Sequence, residues 1–263
     1  MSAPEPPRAV AHPSDYVQSL ERGLAVMCAF SREEPELTLS DVARRTDLSR
    51  ATARRLLRTL QTLGYISTDG RLFRLTPRVL DIGYAYVSSL ALSDFALPTM
   101  EQLSEHVHES CSAAVLDGAE IVYVARVPTK RIMTIALALG SRLPAVATSM
   151  GRVLLADLPS KERREMLAQL PLVSHTDNTI VDRRRLEAVL DDVRAQGWCL
   201  VDQELEIGLR SVAAPLHDAS GHAIAAMNIS TQANRVSLKS MREEFVPRLL
   251  EAAREIDERL AKR

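Results

Sequence analysis

The sequence lacks the long apolar runs and export signals that would place it in a membrane or outside the cell. No segment approaches the roughly 18 uninterrupted apolar residues that a transmembrane helix needs. The first residues, "MSAPEPPRAVAHPS", are rich in proline and contain no apolar core of a signal peptide. We therefore predict a disordered arm at 1–14 and a protein that stays in the cytoplasm.

Cysteine is also scarce. The three cysteines, Cys28, Cys111 and Cys199, lie far apart and form no CxxC pair. This spacing does not suit a disulfide framework or a cysteine zinc site, so we predict that each cysteine is a small buried apolar residue. We expect the protein to need no metal and no cofactor.

The strongest candidate for a metal site is the stretch "EHVHESC". It contains His106, His108, Glu109 and Cys111. His106 and Glu109 share one side of a predicted helix, whereas His108 points elsewhere. Because no HExxH pair is present, a metal site is the weaker alternative to ordinary solvated helix residues.

Signatures of common enzymes are missing as well. The chain has no GxSxG, no P-loop and no GxGxxG after a predicted strand. Glu204 and Glu206 could act as an acid–base pair beside a pocket, but the neighbouring "GLR" is more typical of a structural turn. We expect a protein that is not an enzyme. Two alternatives stay open, residual catalysis by the C-terminal half and a constitutive, architectural DNA-binding protein.

Positive charge is concentrated in one stretch of a nearly neutral chain. The net charge is −1, so any surface for nucleic acid must be local. Between Arg44 and Arg58 there are six arginines and one acid, Asp47. The 263 residues, of which 46% are hydrophobic, suffice for two ordinary domains. We therefore expect a basic module on an otherwise balanced protein.

The N-terminal part has the pattern of a winged helix-turn-helix. Apolar spacing predicts helices over 16–30, 39–46 and 50–63. Ser49 is an N-cap candidate for the third helix, and Gly64 stands where a helix commonly ends. In "YISTDGRLFRL" the pair Asp69-Gly70 predicts a hairpin with a type I′ turn. Three helices and a hairpin indicate a winged helix-turn-helix domain at 15–76.

The third predicted helix, in the stretch "LSRATARRLLRTL", separates leucines from arginines. At about 100° per residue, Arg50, Arg54 and Arg58 form one stripe beside an apolar sector of alanine and leucine. Like charges at this spacing repel each other, which is sensible if phosphates supply the missing negative charge. An ordinary solvated helix face is the alternative. The preceding helix and the following hairpin favour DNA binding.

In a helix-turn-helix the second helix of the motif enters the major groove. The residues that we expect to reach base edges are Ser49, Arg50, Thr52 and Arg54. Those that we expect to hold phosphates are Arg55, Arg58, Arg44 and Arg45. On the hairpin, Arg71 and Arg74 could contact the DNA backbone or the minor groove.

The rest of the chain predicts a helix and a second domain. Pro77 opens a linker helix at 77–96, and Pro98 opens the first helix of a domain at 97–263. Strands are predicted in "SAAVLDGAEIVYVARV", "RIMTIALAL", "WCLVDQE", "RSVAAPLHD" and "HAIAAMNIS". Because hairpins and helices are mixed, we predict an α+β fold around an antiparallel sheet.

Several sequence blocks, in order along both halves, resemble the IclR family of bacterial transcriptional regulators. They are "SLERGLAVMCAF", "LTLSDVARRTDLSRATARRLLRTLQTLGYI", "RLFRLTPRVLDIG", "LPAVATSMGRVLLA" and "GLRSVAAPLHDASGHAIAAMNIS". The resemblance runs from about Tyr16 to the C-terminus. The blocks "YVARVPTKRIMTIALALGSRLPA" and "TSMGRVLLA" are most similar to the subgroup that controls β-ketoadipate-pathway genes of aromatic acid catabolism.

This resemblance implies a ligand-responsive, sequence-specific DNA-binding regulator. It implies a winged helix-turn-helix, a linker helix and a C-terminal effector domain with a GAF-like fold. It also implies operator DNA as a partner, a homodimer or a dimer of dimers, and a small organic acid as effector. Protocatechuate, 4-hydroxybenzoate and β-ketoadipate are the acids that the subgroup suggests.

The resemblance also implies the residues of an effector pocket. They are Ser149, Met150, Ser211, Asn228 and Ser230, with Ile132 and Ile135 as apolar wall and Asp202 as an acidic member. The residues themselves agree, since Ser149-Met150-Gly151 precedes an apolar helix whose N–H groups favour a carboxylate. Arg126 could pair with a carboxylate through two hydrogen bonds. The alternatives are a plain capping turn at Ser149 and an ion pair on the pocket rim for Arg126.

Overall fold

The computed structural model describes residues 14–89, 92–129 and 137–262. The predicted arm, apart from Ser14, and most of the predicted strand "RIMTIALAL" lie outside this part of the chain. The chain divides into two compact units between Tyr86 and Val87. The domain boundaries drawn from the sequence at 76/77 and 96/97 stay predictions.

The N-terminal unit contains helices packed on a small antiparallel sheet. Its elements are α1 (Gln18–Cys28), β1 (Glu36–Thr38), α2 (Leu39–Arg45), α3 (Arg50–Thr62), β2 (Ile66–Thr68) and β3 (Leu72–Leu75). The sheet order is β1-β3-β2. The core consists of Val26, Leu37, Val42, Ala43, Ala53, Leu57, Leu60 and Ile66. This arrangement confirms the predicted winged helix-turn-helix. The next helix, α4 (Val79–Ser89), crosses the division between the units.

Strand β1 was not predicted from the sequence, which indicated only a helix over 39–46 in this region. Leu37 lies opposite Phe73, and Thr38 lies opposite Leu72. Thr38 also caps α2, because its side chain accepts from the Asp41 N–H while the Asp41 carboxylate accepts from the Thr38 N–H. One residue therefore ends a strand and begins a helix, and only the distant β3 reveals the strand.

The predicted hairpin is present, but its predicted type I′ turn is wrong. A type I′ turn needs positive φ at both central residues. Asp69 lies opposite Leu72, so the central residues are Gly70 and Arg71, and only Gly70 has a positive φ (100°). Instead, the Asp69 carboxylate accepts from the backbone N–H groups of Arg71 (2.9 Å) and Leu72 (2.8 Å). Asp69 thus closes the turn with its side chain.

The C-terminal unit is built on one antiparallel sheet of six strands in the order β6-β5-β4-β9-β8-β7. The strands are β4 (Ser110–Asp117), β5 (Glu120–Val127), β6 (Arg142–Pro144), β7 (Cys199–Asp202), β8 (Leu209–His217) and β9 (Ala223–Gln232). The helices are α5 (Leu92–Val107), α6 (Ser149–Asp157), α7 (Ser160–Gln169), α8 (Arg183–Gln196), the short α9 (Leu238–Ser240) and α10 (Val246–Leu260). A 3₁₀ turn (Ala145–Ala147) precedes α6, and a π-helical turn (Met241–Phe245) precedes α10. The α+β class is confirmed.

Each face of this sheet is covered by a different set of helices. On one face, α5 and α10 supply Met100, Leu103, Leu249 and Ile256 to a core that continues through Val212. On the other face, α6 and α8 supply a second core that consists of residues such as Leu154, Leu155, Leu186 and Leu190. The start of α6 therefore lies against the sheet, which places the predicted pocket residues in the interior of this unit.

Helix α5 begins earlier than predicted. Pro98 was expected to open it, but the helix runs from Leu92 and contains Pro98 in its interior. Pro98 is exposed, whereas Ala96, Met100 and Leu103 are buried against the sheet. Packing of this apolar stripe compensates for the hydrogen bond that proline cannot donate.

Candidate functional site

The third helix, α3, is fixed by its cap and its apolar side, as predicted. The Ser49 side chain accepts from the Thr52 N–H at 3.2 Å, and the two hydroxyl groups lie 2.9 Å apart. Ala53, Leu57 and Leu60 are buried. Leu63, which was assigned to the same apolar sector, is half exposed because α3 ends at Thr62. The cap and the buried residues leave the arginine side of α3 in solvent.

The arginines of α3 are exposed and unpaired. The four are Arg50, Arg54, Arg55 and Arg58. Within the part of the chain that the structure describes, none of their side chains contacts an acid or donates a hydrogen bond. Arg71 at the tip of the hairpin is in the same state. An unpaired row of guanidinium groups on a surface helix is suited to bind phosphates.

The other predicted DNA contacts are already occupied. Arg44 bonds to Asp41 at 2.7 Å, although its side chain is 72% exposed, and Arg74 lies 3.3 Å from Glu36. Arg45 pairs with Glu34 and donates to the backbone oxygen of Ala29 at 2.8 Å. Arg45 therefore connects α2 to the end of α1, and its role as a phosphate contact stays a prediction.

A cavity lies between the start of α6 and the sheet of the C-terminal unit. It is lined by Tyr123, Leu137, Leu143, Ala147, Thr148, Ser149, Met150, Val201, Leu205, Leu209, Ser211, Asn228 and Ser230. Its mixture of apolar walls with a few polar groups is typical of small-molecule sites. Five predicted pocket residues meet here, namely Ser149, Met150, Ser211, Asn228 and Ser230.

The "TSMG" sequence forms the start of α6 rather than a loop before it. Thr148 is the N-cap, and its hydroxyl accepts from the Gly151 N–H at 3.2 Å. Ser149 and Met150 are the first residues of the helix and line the cavity. The first N–H groups of a helix have no acceptor within it, and the helix dipole is positive there. This wall of the cavity is therefore suited to an anion.

Gly151 allows α6 to approach the preceding 3₁₀ turn. A Cβ atom at this position would lie 2.2 Å from the Ala145 oxygen and 2.4 Å from its Cα. No side chain fits such a gap, so glycine is needed for the close approach of the two backbones. The cavity wall depends on this contact, because Ala147 and Thr148 in the connection line the cavity as well.

Two pairs of polar side chains in the cavity are joined by hydrogen bonds. The hydroxyl groups of Ser149 and Ser211 lie 2.9 Å apart, and the Asn228 amide donates to Ser230 at 3.0 Å. Asn228 is buried, and its Oδ1 has no hydrogen-bond partner among the described residues. A buried acceptor without a donor costs free energy. A donor from a ligand or a water molecule is therefore expected at this point.

Arg126 does not itself line the cavity but lies on the same face of the sheet. It is opposite Ser112 on β4, and Ser112 is in turn opposite Asn228 on β9. Within the described ranges its guanidinium has no acidic partner. It lowers the pKa of Tyr123, although burial of that phenol prevails and raises its pKa to about 12. Arg126 is thus a half-buried cation beside the cavity that has no acidic partner among the described residues.

Three other predicted pocket residues, Asp202, Ile132 and Ile135, are not among the described residues that line the cavity. Asp202 does not line the cavity, since its carboxylate accepts from the Arg210 guanidinium at 2.7 Å. Side chains alternate along β7, so the neighbouring Val201 lines the cavity instead. Ile132 and Ile135 lie outside the described residues.

A buried ion pair beside the cavity was missed in the sequence. Arg152 donates two hydrogen bonds of 2.6 Å to Glu204, and both residues are buried. The Arg152 Nε donates to the Val146 oxygen at 2.8 Å, and Glu204 accepts from the Ile180 N–H at 3.0 Å. Glu204 is therefore fully engaged, which argues against the acid–base role. No local pattern indicates the pair, because its members are 52 residues apart.

The alternative metal stretch is occupied by structural contacts. Glu109 pairs with Arg235 at 2.9 Å, His106 bonds through Nδ1 to the Gln102 oxygen, and burial raises the pKa of the Cys111 thiol. Across the described ranges no three histidine, cysteine or acidic side chains gather as a metal site.

Cys28 is exposed, which corrects the prediction that all cysteines are buried. No helix within the same ranges is long and apolar enough to cross a membrane.

Comparisons with known proteins agree with this geometry. A family model described as the C-terminal part of the bacterial transcriptional regulator IclR matches residues 84–258, and the IclR helix-turn-helix domain matches residues 19–70. The Pca regulon regulatory protein of Pseudomonas putida is 45% identical over 92% of this chain and 84% of its own length.

Two solved structures are similar over almost the whole chain. A protein from Rhodococcus sp. RHA1, described as a transcriptional regulator, is 55% identical with a TM-score of 0.86, over 94% of this chain and 99% of its own. An IclR homologue from Microbacterium hydrocarbonoxydans, solved in complex with 4-hydroxybenzoate, is 26% identical with a TM-score of 0.84, over 93% of this chain and 100% of its own.

Proposed function

Because the chain belongs to the IclR family of bacterial transcriptional regulators, we propose that it controls genes of aromatic acid catabolism in response to a small organic acid. The chain is an IclR-type regulator, and its helix-turn-helix domain implies DNA binding. The observation that carries the effector half of the proposal is the cavity at the start of α6, where a buried acceptor lacks a donor among the described residues. The matched relatives are regulators, so a fused enzyme or a constitutive DNA-binder is not favoured.

We assign operator reading to the N-terminal end of α3 and to its arginine stripe. Arg50 and Arg54, with Ser49 and Thr52, reach base edges in the major groove. Arg55 and Arg58 hold phosphates, and the exposed residues Arg44, Arg71 and Arg74 add backbone contacts. Among the described residues, none of the four arginines of α3 pairs with an acid, which supports their role in DNA binding.

The effector carboxylate binds at the start of α6 in this proposal. The N–H groups of Ser149 and Met150, with the Ser149 and Ser211 hydroxyls, would surround it. Asn228 would bind a polar group at another point of the acid, and Arg126 would attract its negative charge. Protocatechuate, 4-hydroxybenzoate and β-ketoadipate all carry a carboxylate and a further polar group, and the Microbacterium homologue holds 4-hydroxybenzoate.

We further propose that the N-terminal unit pairs with a second copy of the chain. Apolar side chains are exposed on α1 (Val17, Leu20, Leu24) and on α4 (Leu80, Ile82, Tyr84, Tyr86). Clusters of exposed apolar residues mark protein interfaces, and a dimer presents two recognition helices to two half-sites. Effector binding would change the relative populations of conformational states. The segment 77–96 would transmit this change to the spacing of the two α3 helices.

The pocket assignment is tested by Ser149→Trp. The large side chain would fill the cavity, so we expect operator binding to persist while the effector response disappears. Operator affinity is measured by fluorescence anisotropy with and without each acid, and the acid is chosen beforehand by a thermal-shift screen. A ligand at 100-fold its Kd stabilises its target by about 2.7 kcal/mol, which such a screen detects.

Two results would contradict the assignment. An unchanged effector response in Ser149→Trp would move the pocket elsewhere. Chemical conversion of the acid by the unmodified protein would restore the enzyme alternative.

A further inference from the structure

The buried pair of Arg152 and Glu204 connects two walls of the effector cavity. Arg152 is in the first turn of α6, three residues after Ser149, whereas Glu204 stands between the cavity-lining residues Val201 and Leu205. Both hydrogen bonds of the pair are 2.6 Å long, and the two side chains are 2% and 9% exposed. The pair therefore determines how the start of α6 is placed relative to the segment after β7.

The same pair gathers two further segments. The Val146 oxygen accepts from Arg152 at 2.8 Å, which holds the 3₁₀ turn before α6. The Ile180 N–H donates to the Glu204 carboxylate at 3.0 Å, and the Thr179 hydroxyl donates to the Glu204 backbone oxygen at 2.6 Å. Three stretches of chain that are distant in sequence, 146–152, 179–180 and the segment around Glu204, thus meet at this ion pair.

Stability alone does not account for a buried ion pair. Burial removes both charges from water, and apolar side chains of similar size often stabilise a fold equally well or better. A guanidinium–carboxylate pair joined by two hydrogen bonds also fixes the distance between the two side chains and their relative orientation. We therefore propose that Arg152 and Glu204 are positioning residues of the effector site, which hold Ser149 and Met150 at the separation from Leu205 and Leu209 that the acid requires. This inference rests on the proposed effector function.

The test replaces the pair by an apolar one in the full-length protein. In the double variant Arg152→Met with Glu204→Leu, we expect cooperative unfolding near the temperature of the unmodified protein and unchanged operator binding without effector. We expect the Kd for the acid found in the screen, measured by isothermal titration, to rise by roughly tenfold or more, as it does when supporting contacts of other sites are removed. A merely structural pair would leave this Kd unchanged.

A control comes from another buried arginine of the same unit. Arg163 bonds at 2.5 Å to Asp191, whose side chain is 66% exposed, and neither residue lines the cavity. The double variant Arg163→Met with Asp191→Leu is expected to bind the acid like the unmodified protein. An equal loss of affinity in the control would show a general softening of the unit and would overturn the positioning role.

A second variant decides the question if the double variant does not fold. Arg152→Lys keeps the charge but cannot make the two parallel hydrogen bonds, so the fold is expected to survive while the Kd rises. Unchanged affinity in folded Arg152→Lys overturns the inference. If the unmodified protein binds none of the acids, the proposed function fails and this inference fails with it. If the unmodified protein binds an acid and the double variant binds it equally, only this inference fails.

Discussion

The arginines of α3 and the buried arginines of the C-terminal unit lie in opposite environments. On α3, the side chains of Arg50, Arg54 and Arg58 are exposed, and no described residue pairs with them. In the C-terminal unit, Arg152 and Arg210 are buried, and each bonds to a carboxylate. Buried guanidinium groups need internal partners. Exposed guanidinium groups that are aligned on one helix repel each other, and bound phosphates would offset this repulsion. The burial and the partner of an arginine therefore indicate whether it serves the fold or a ligand.

The largest effect is expected from breaking a buried pair. Arg152→Ala leaves the Glu204 carboxylate buried without its partner, which should lower the free energy of unfolding by about 3–5 kcal/mol. Urea unfolding followed by fluorescence measures it, because the single tryptophan, Trp198, belongs to this unit. Arg54→Ala is the control and should leave the transition in place. A loss below about 1 kcal/mol would mean that the pair behaves like a surface ion pair.

The second largest effect is expected on operator binding. Arg54→Ala should weaken operator binding by about 1–3 kcal/mol and relax the preference for one base, because a direct contact to a base edge is lost. Fluorescence anisotropy with the operator and with single-base variants measures both quantities. Arg164→Ala removes an exposed arginine of α7 and should change neither. An unchanged operator affinity in Arg54→Ala would contradict the assignment of α3.

A smaller and less selective effect is expected further along α3. Arg58→Ala should weaken operator and unrelated DNA alike, and the slope of affinity against salt concentration should flatten by about one unit. Titrations at several salt concentrations measure this slope. A selective loss on the operator alone would make Arg58 a base-reading residue and would redraw the division within α3.

The smallest effect concerns an ion pair that, unlike the arginine pairs, contains a histidine. His217 Nδ1 lies 2.8 Å from the Asp257 carboxylate, and this hydrogen bond raises the pKa of His217 above its ordinary value of 6.5. The protonated pair stabilises the fold fully below pH 6.5, and this contribution is lost as the pH rises through the raised pKa. Since both side chains are partly exposed, less than about 1 kcal/mol is expected. Urea unfolding at several pH values measures it, and His217→Gln should remove this part of the pH dependence.

Much of the N-terminal unit was predictable because its signals are local. The Ser49 cap, the leucine side of α3 and the arginine stripe all follow from residues within one helix. The turn of the hairpin was predicted in place but not in type, because Asp69 closes it with its side chain rather than with a positive φ. The ion pair of Arg45 was not predicted either, because its partner Glu34 comes from the segment before β1.

The arrangement of the cavity at the start of α6 could not be predicted from local sequence patterns alone. Family resemblance brought Ser149, Ser211 and Asn228 to one site, but it misplaced Asp202, which pairs with Arg210. The sequence by itself determined α3 with its buried apolar side and its exposed arginine stripe, because amphipathic spacing and capping act within a few residues of one another. Only the tertiary structure decided which charges are buried and paired, as in Arg152 with Glu204, because those contacts join residues that lie far apart in the chain and meet only when the sheet and α6 pack together.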